Sequence, residues 1–79
     1  MWQIRKAEFM ENIILRDEFI KLGQALKAAG LCESGADAKD VILEGLVRVN
    51  GQIENRRGKK LYDGDIINFN DEEIKIIKQ

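Results

Sequence analysis

Val47-Arg-Val-Asn-Gly-Gln-Ile-Glu-Asn-Arg-Arg-Gly-Lys-Lys-Leu61 is the stretch around which the rest of the chain is organised. Asn50-Gly51 is a strong short-range hairpin signal, because both central residues of a two-residue type I′ turn need positive φ and Asn and Gly tolerate it best. Val47 and Val49 alternate with Arg48, the period of a strand with one buried and one wet face. After Ile53, four cations fall in five positions (Arg56, Arg57, Lys59 and Lys60), with Gly58 as a pivot. The reading is a hairpin that carries Arg48 on a rigid strand beside a short, mobile basic loop.

The charge is unevenly spread. Residues 47–60 hold five Lys/Arg against one acid, a net +4, while residues 1–46 carry a net −2 and residues 61–79 a net −3. The overall −1 therefore conceals one concentrated positive segment between acidic flanks. Guanidinium groups match phosphate in a bidentate fork and Lys adds a point charge, so a polyanion is the natural partner. A basic loop kept for solubility explains a charge run equally well, and only the rest of the chain separates the two.

At 79 residues the chain makes one small domain, able to bury about 60% of its unfolded surface. Its 44% hydrophobic and 34% charged composition excludes a disordered tail. No apolar run reaches the ~20 residues of a membrane span. Arg5, Lys6, Glu8 and Glu11 interrupt any signal-peptide core, so a cytoplasmic protein with no membrane partner is expected. With one cysteine and no histidine, a disulfide, a Cys/His zinc set and a Cys–His nucleophile are all excluded within one chain. No catalytic residue, metal ligand or cofactor is expected, and Cys32 reads as core filler.

Residues 1–10 read as a flexible extension, with an RNA-stacking arm built on Trp2, Arg5, Lys6 and Phe9 as the alternative. The remainder, 11–79, reads as the domain. Asn12–Arg16 is β-branched and short, hence a strand, and Phe19-Ile20 is a brief extended piece. Leu22, Ala25, Leu26 and Ala29 then recur at helical spacing, and Gly30 supplies the left-handed residue that ends the helix. Ser34 followed by Asp37 has the form of a capping box. It opens a second helix with Ala38, Val41 and Ile42 inward and Gly45 as its stop. Lys21, Lys27 and Lys39 ride on the helical side, where solvated surface and phosphate contact are both open. Tyr62-Asp-Gly-Asp65 is a turn, Ile66–Phe69 a strand, Asn70–Glu73 a turn and Ile74–Ile77 the last strand. Tyr62 either caps the edge of the sheet or stacks on a base, the cap being the commoner use.

Two short helices followed by Val-Arg-Val-Asn-Gly, a basic loop and Asp-Gly-Asp-Ile resemble the S4-like RNA-binding domain, the superfamily named after ribosomal protein S4. The subtype it looks like is the small stand-alone bacterial one, called YaaA-like or YbcJ-like. The resemblance rests on Lys21–Lys27, Glu33–Lys39, Glu44-Gly45, Val47–Gly51, Asn55–Leu61 and Gly64-Asp65. It implies an α+β fold with the αL motif, two short helices packed on a small, bent antiparallel sheet. It also implies a surface that holds structured RNA (ribosomal RNA, tRNA or the ribosome) through Lys21, Lys27, Ser34, Lys39, Arg48, Asn50, Arg56, Arg57, Lys59 and Lys60. Gly35 stands where many members have Arg, and Gly23 where many have Asp.

The expected function is thus non-catalytic binding of structured RNA, read through shape, phosphates and 2′-OH groups. If about five cations meet phosphates, log affinity should fall against log salt with a slope of about −3.5 to −4.5. The alternative is a protein–protein adaptor whose basic loop docks an acidic partner.

Overall fold

The computed structural model describes residues 11–78; the arm considered for residues 1–10 lies outside them. In chain order the elements are β1 (Glu11–Leu15), β2 (Ile20–Lys21), α1 (Leu22–Ala28), α2 (Gly35–Leu43), β3 (Val47–Val49), β4 (Gln52–Ile53), β5 (Lys60–Leu61), β6 (Ile66–Phe69) and β7 (Glu72–Lys78). Five strands form one sheet in the order β1-β7-β6-β3-β4, and β2 pairs with β5 in a separate two-stranded ribbon.

Turn chemistry sets the register. Asn50 and Gly51 take φ of 53° and 85°, so Val49 faces Gln52 across a two-residue hairpin. A second turn of the same kind sits at Asn70 and Asp71, with φ of 55° and 66°. It pairs Phe69 with Glu72 and starts the last strand two residues earlier than its apolar pattern suggests. Asn and Asp tolerate this left-handed geometry better than other side chains.

The sheet is antiparallel except at one edge, where β1 runs parallel to β7, with Ile13 beside Ile76. Between β1 and the rest of its sheet the chain passes through β2 and both helices. That crossover is long enough to bring a strand back parallel, which a hairpin cannot do. The pattern of Asn12–Arg16 identified a strand, yet it carries no information about the direction of the partner.

One face of the sheet buries Val47, Val49, Ile67, Ile74 and Ile76 in a single cluster with Leu22, Ala25 and Leu26 of α1, Ala38 and Ile42 of α2, and Leu61 of the ribbon. Each fully buried Leu or Ile contributes roughly 1.5–3 kcal/mol. Cys32 is part of this core, and burial, with a smaller effect of Asp37, pushes its thiol pKa up, the opposite of a reactive cysteine. Gly30 and Gly45 end the helices with φ of 77° and 78°, and the Ser34 hydroxyl accepts the Asp37 N–H at 3.2 Å to cap α2.

Candidate functional site

Strand alternation divides the cations before any ligand is considered. Val47 and Val49 point into the core, so Arg48 between them stands on the opposite face, away from the helices. There it lies in a cross-strand row, flanked by Ile53 and Asn68, and Asn68 donates to Glu73 at 3.1 Å. The Asn50 carboxamide is committed to the fold: it donates to Asp65 at 3.1 Å and accepts the Ile66 N–H at 2.9 Å. Asp65 also accepts the Tyr62 N–H at 2.8 Å, so one Asn–Asp pair ties the hairpin to the Asp-Gly-Asp turn.

The basic loop is tied to its neighbours at several points along its length. The Glu54 N–H donates to the Val47 carbonyl at 3.0 Å, and the Asn55 side chain donates to the Ile42 carbonyl at the end of α2 at 3.2 Å. The carbonyls of Arg57 and Lys59 accept the N–H groups of Gly23 and Leu22 at 3.0 and 2.8 Å. The loop backbone therefore satisfies donors that the start of α1 leaves without helical partners. It also brings the Arg57 side chain across the first turn of that helix. A Cβ on Gly23 would lie 2.7 Å from Arg57 Cγ, so the close approach depends on glycine.

Lys21, Gly23, Gln24, Lys27, Gly35, Arg57 and Gly58 line a groove of about 300 Å³ between the two helix starts and the loop. Three of these seven are cations, three are glycines, and none is an acid. Among the described residues Lys21, Lys27 and Arg57 have no ion-pair partner. Lys21 also faces Lys60 directly across the ribbon, a like-charge arrangement that disfavours the pairing unless an anion is shared. Lys39 stands one turn along α2 from Gly35, on the same face of that helix. Ser34 adjoins the groove through Gly35 while its hydroxyl serves as the cap. Lys59, next to the lining residue Gly58 in the chain, is half-buried and its carbonyl is held by the Leu22 N–H.

Arg56 behaves differently. Its Nε donates to Glu54 at 2.9 Å and its Nη2 to the other carboxylate oxygen at 3.3 Å, while its backbone N–H also donates to Glu54 at 3.0 Å. Arg56 leaves 71% of its side chain exposed and Glu54 only 14%. The hydrogen bond to Arg56 holds the Glu54 carboxyl below its ordinary pKa, and the same contact raises that of Arg56.

The structure thus gathers Lys21, Lys27 and Arg57 into one concavity, with Lys39, Lys59 and Lys60 on adjoining elements. It places Arg48 on another face, commits Asn50 to the fold and half-neutralises Arg56. Sequence reasoning missed Gln24, which lines the groove and accepts the Lys21 N–H at 3.4 Å, and Asn55, which fixes the loop to α2. Gln at the third helical position is a capping signal that was available; nothing local marks Asn55.

Comparison with known proteins agrees with the fold. The S4 domain profile matches residues 13–77. The probable ribosome maturation protein RlbA of Bacillus subtilis is 49% identical over 59 residues, 73% of this chain and 83% of that protein. The putative RNA-binding protein YbcJ of Escherichia coli is 36% identical over 58 residues, again 73% and 83% of the two chains. The solution structure of YbcJ, described as containing an αL motif involved in RNA binding, superposes with a TM-score of 0.69 at 31% identity. That match covers 98% of this chain and 99% of that one. The names of these relatives describe RNA binding and ribosome maturation rather than catalysis.

Proposed function

The chain belongs to the S4 domain family, and on that premise we propose that it is a non-catalytic RNA-binding protein whose helix–loop groove seats the backbone of structured RNA, ribosomal RNA or a ribosome-bound RNA in particular. The observation that carries this reading is the groove itself: three cations and three glycines converge there without an acid. Glycine walls let a ribose-phosphate backbone approach the protein main chain, and the cations neutralise it. A structured RNA presents phosphates and 2′-OH groups at fixed spacing, and a preformed groove reads that shape with little ordering cost. Lys39, Lys59 and Lys60 extend the positive surface around it. The adaptor reading has no comparable support.

Fluorescence anisotropy with a labelled ribosomal RNA fragment containing a helical junction provides the test. With three groove cations on phosphates, the log–log salt slope should be about −2 to −3. Changing Lys21, Lys27 and Arg57 together to Ala should lower affinity by at least about tenfold and flatten most of that slope. Arg48→Ala, on the other face, should leave both near the wild-type values. Wild-type affinity in the triple variant would refute the assignment.

A further inference from the structure

The β2–β5 ribbon carries a second feature that adjoins the groove. Its inner face buries Leu61 and covers most of Ile20. By strand alternation its outer face presents Lys21 opposite Lys60 and, just beyond the paired positions, Phe19 near Tyr62. The two rings lie 6.0 Å apart between centroids, inclined at 53°, and Lys60 Nζ sits 4.8 Å over the centre of the Phe19 ring. Tyr62 nevertheless remains 47% exposed. Two aromatics and two lysines thus share one small surface, and Lys21 belongs both to it and to the groove. Residues 19–21 and 60–62 are some forty positions apart, so no window of the sequence displays the set.

We propose that Tyr62, braced by Phe19, is a stacking site for one unpaired base whose neighbouring phosphates lie on Lys60, Lys21 and the groove. This rests on the RNA-binding reading above and narrows it to a helical RNA with a bulged or otherwise extruded nucleotide beside the contacted backbone. Lys60 already occupies a face of Phe19, which leaves the more exposed Tyr62 ring as the platform. A base inside an A-form stem has both faces covered by its neighbours and offers the ring nothing to stack on. An unstacked base offers a full π-face, and the flanking lysines meet its phosphates. Leu61 already closes the core on this side, so the exposed part of the Tyr62 ring is open to a ligand.

The experiment compares three labelled RNA hairpins of the same stem: fully paired, with one bulged adenosine, and with that bulge reduced to an abasic sugar. The wild-type protein should bind the bulged hairpin about five- to 100-fold more tightly than either of the others. Tyr62→Phe should keep the preference. Tyr62→Leu, which retains an apolar contact for Phe19, should lose it while binding the fully paired hairpin as the wild type does. Equal affinity for all three RNAs in the wild type, or a preference that survives in Tyr62→Leu, overturns the stacking site but leaves groove binding standing. Absence of salt-dependent binding to any hairpin would instead overturn the RNA-binding reading and this site with it.

Discussion

The helix–loop groove and the outer face of the hairpin carry the same kinds of side chain and handle them in opposite ways. In the groove, Lys21, Lys27 and Arg57 converge with no acid among the lining residues, and Lys60 lies directly across from Lys21. On the hairpin face Arg48 is spaced from other cations in a row that ends in Asn68 bonded to Glu73. Crowded like charges cost stability in the unliganded protein, and a bound polyanion is what offsets that cost. An interspersed row costs nothing and attracts nothing in particular. A basic segment in a sequence therefore becomes a basic surface only where register and turns aim its side chains to one place.

The largest effect that tests this contrast is on stability. Asn50 holds a positive φ of 53° and makes two side-chain hydrogen bonds across to the Asp65 turn. Asn50→Ala strains the turn and leaves both partners to water, which should cost about 1–3 kcal/mol in urea unfolding. The folded fraction should bind RNA with unchanged affinity and salt slope. A loss of intrinsic affinity would break the contrast, because it would put the hairpin tip on the RNA surface after all.

An intermediate effect separates two glycines of the groove. A methyl group on Gly23 meets Arg57 Cγ at 2.7 Å, whereas one on Gly35 meets nothing within 4 Å. Gly23→Ala should displace Arg57 and weaken RNA binding by roughly three- to tenfold, the loss of about one phosphate contact. Its stability should change little, since the helical preference of Ala over Gly, about 0.5–1 kcal/mol, opposes the clash. Gly35→Ala, which leaves Arg57 in place and only narrows the groove wall, should weaken binding less than Gly23→Ala does. Identical behaviour of the two variants in an anisotropy titration would mean that the seat of Arg57 is irrelevant to the groove.

Much of the scaffold behind this contrast was legible in the sequence. Asn50-Gly51 and the Val47–Val49 alternation gave the hairpin and its buried face, Ser34 and Gly30 the helix ends, because these signals are local and each has one geometric solution. The left-handed turn at Asn70-Asp71 was placed but not resolved, since Asn-Asp is a weaker positive-φ signal than Asn-Gly. The pairing of β1 with β7, of β2 with β5, and the seat of the loop on α1 depend on contacts between distant segments. For the same reason the sequence puts Arg48 and Asn50 on one surface with the loop cations, whereas the fold sets Arg48 on the face away from the helices and ties the Asn50 side chain to Asp65 and Ile66. Spacing along a chain reports which residues are polar or charged, and only folding reports which of them meet.

The smallest effect concerns Arg56, the loop cation that shares features of both regions. Its guanidinium projects into solvent like a groove residue, yet two of its donors are spent on Glu54. Arg56→Ala should therefore weaken RNA binding less than Arg57→Ala. The pair also has an acid-side signature. Because Arg56 holds the folded-state pKa of Glu54 below its unfolded value, the contact stabilises the fold above the ordinary carboxylate range. That contribution is lost as pH falls through the lowered folded-state value. Glu54→Gln should lower the urea midpoint slightly at neutral pH, and the two proteins should converge in acid. Glu18, lowered likewise by Lys78, contributes equally to both and cancels. Added salt should shrink the neutral-pH difference, as for any exposed pair. If the difference instead persists in acid, Glu54 holds the loop through packing rather than through charge, and Arg56 would be free to join the groove cations as a full phosphate ligand.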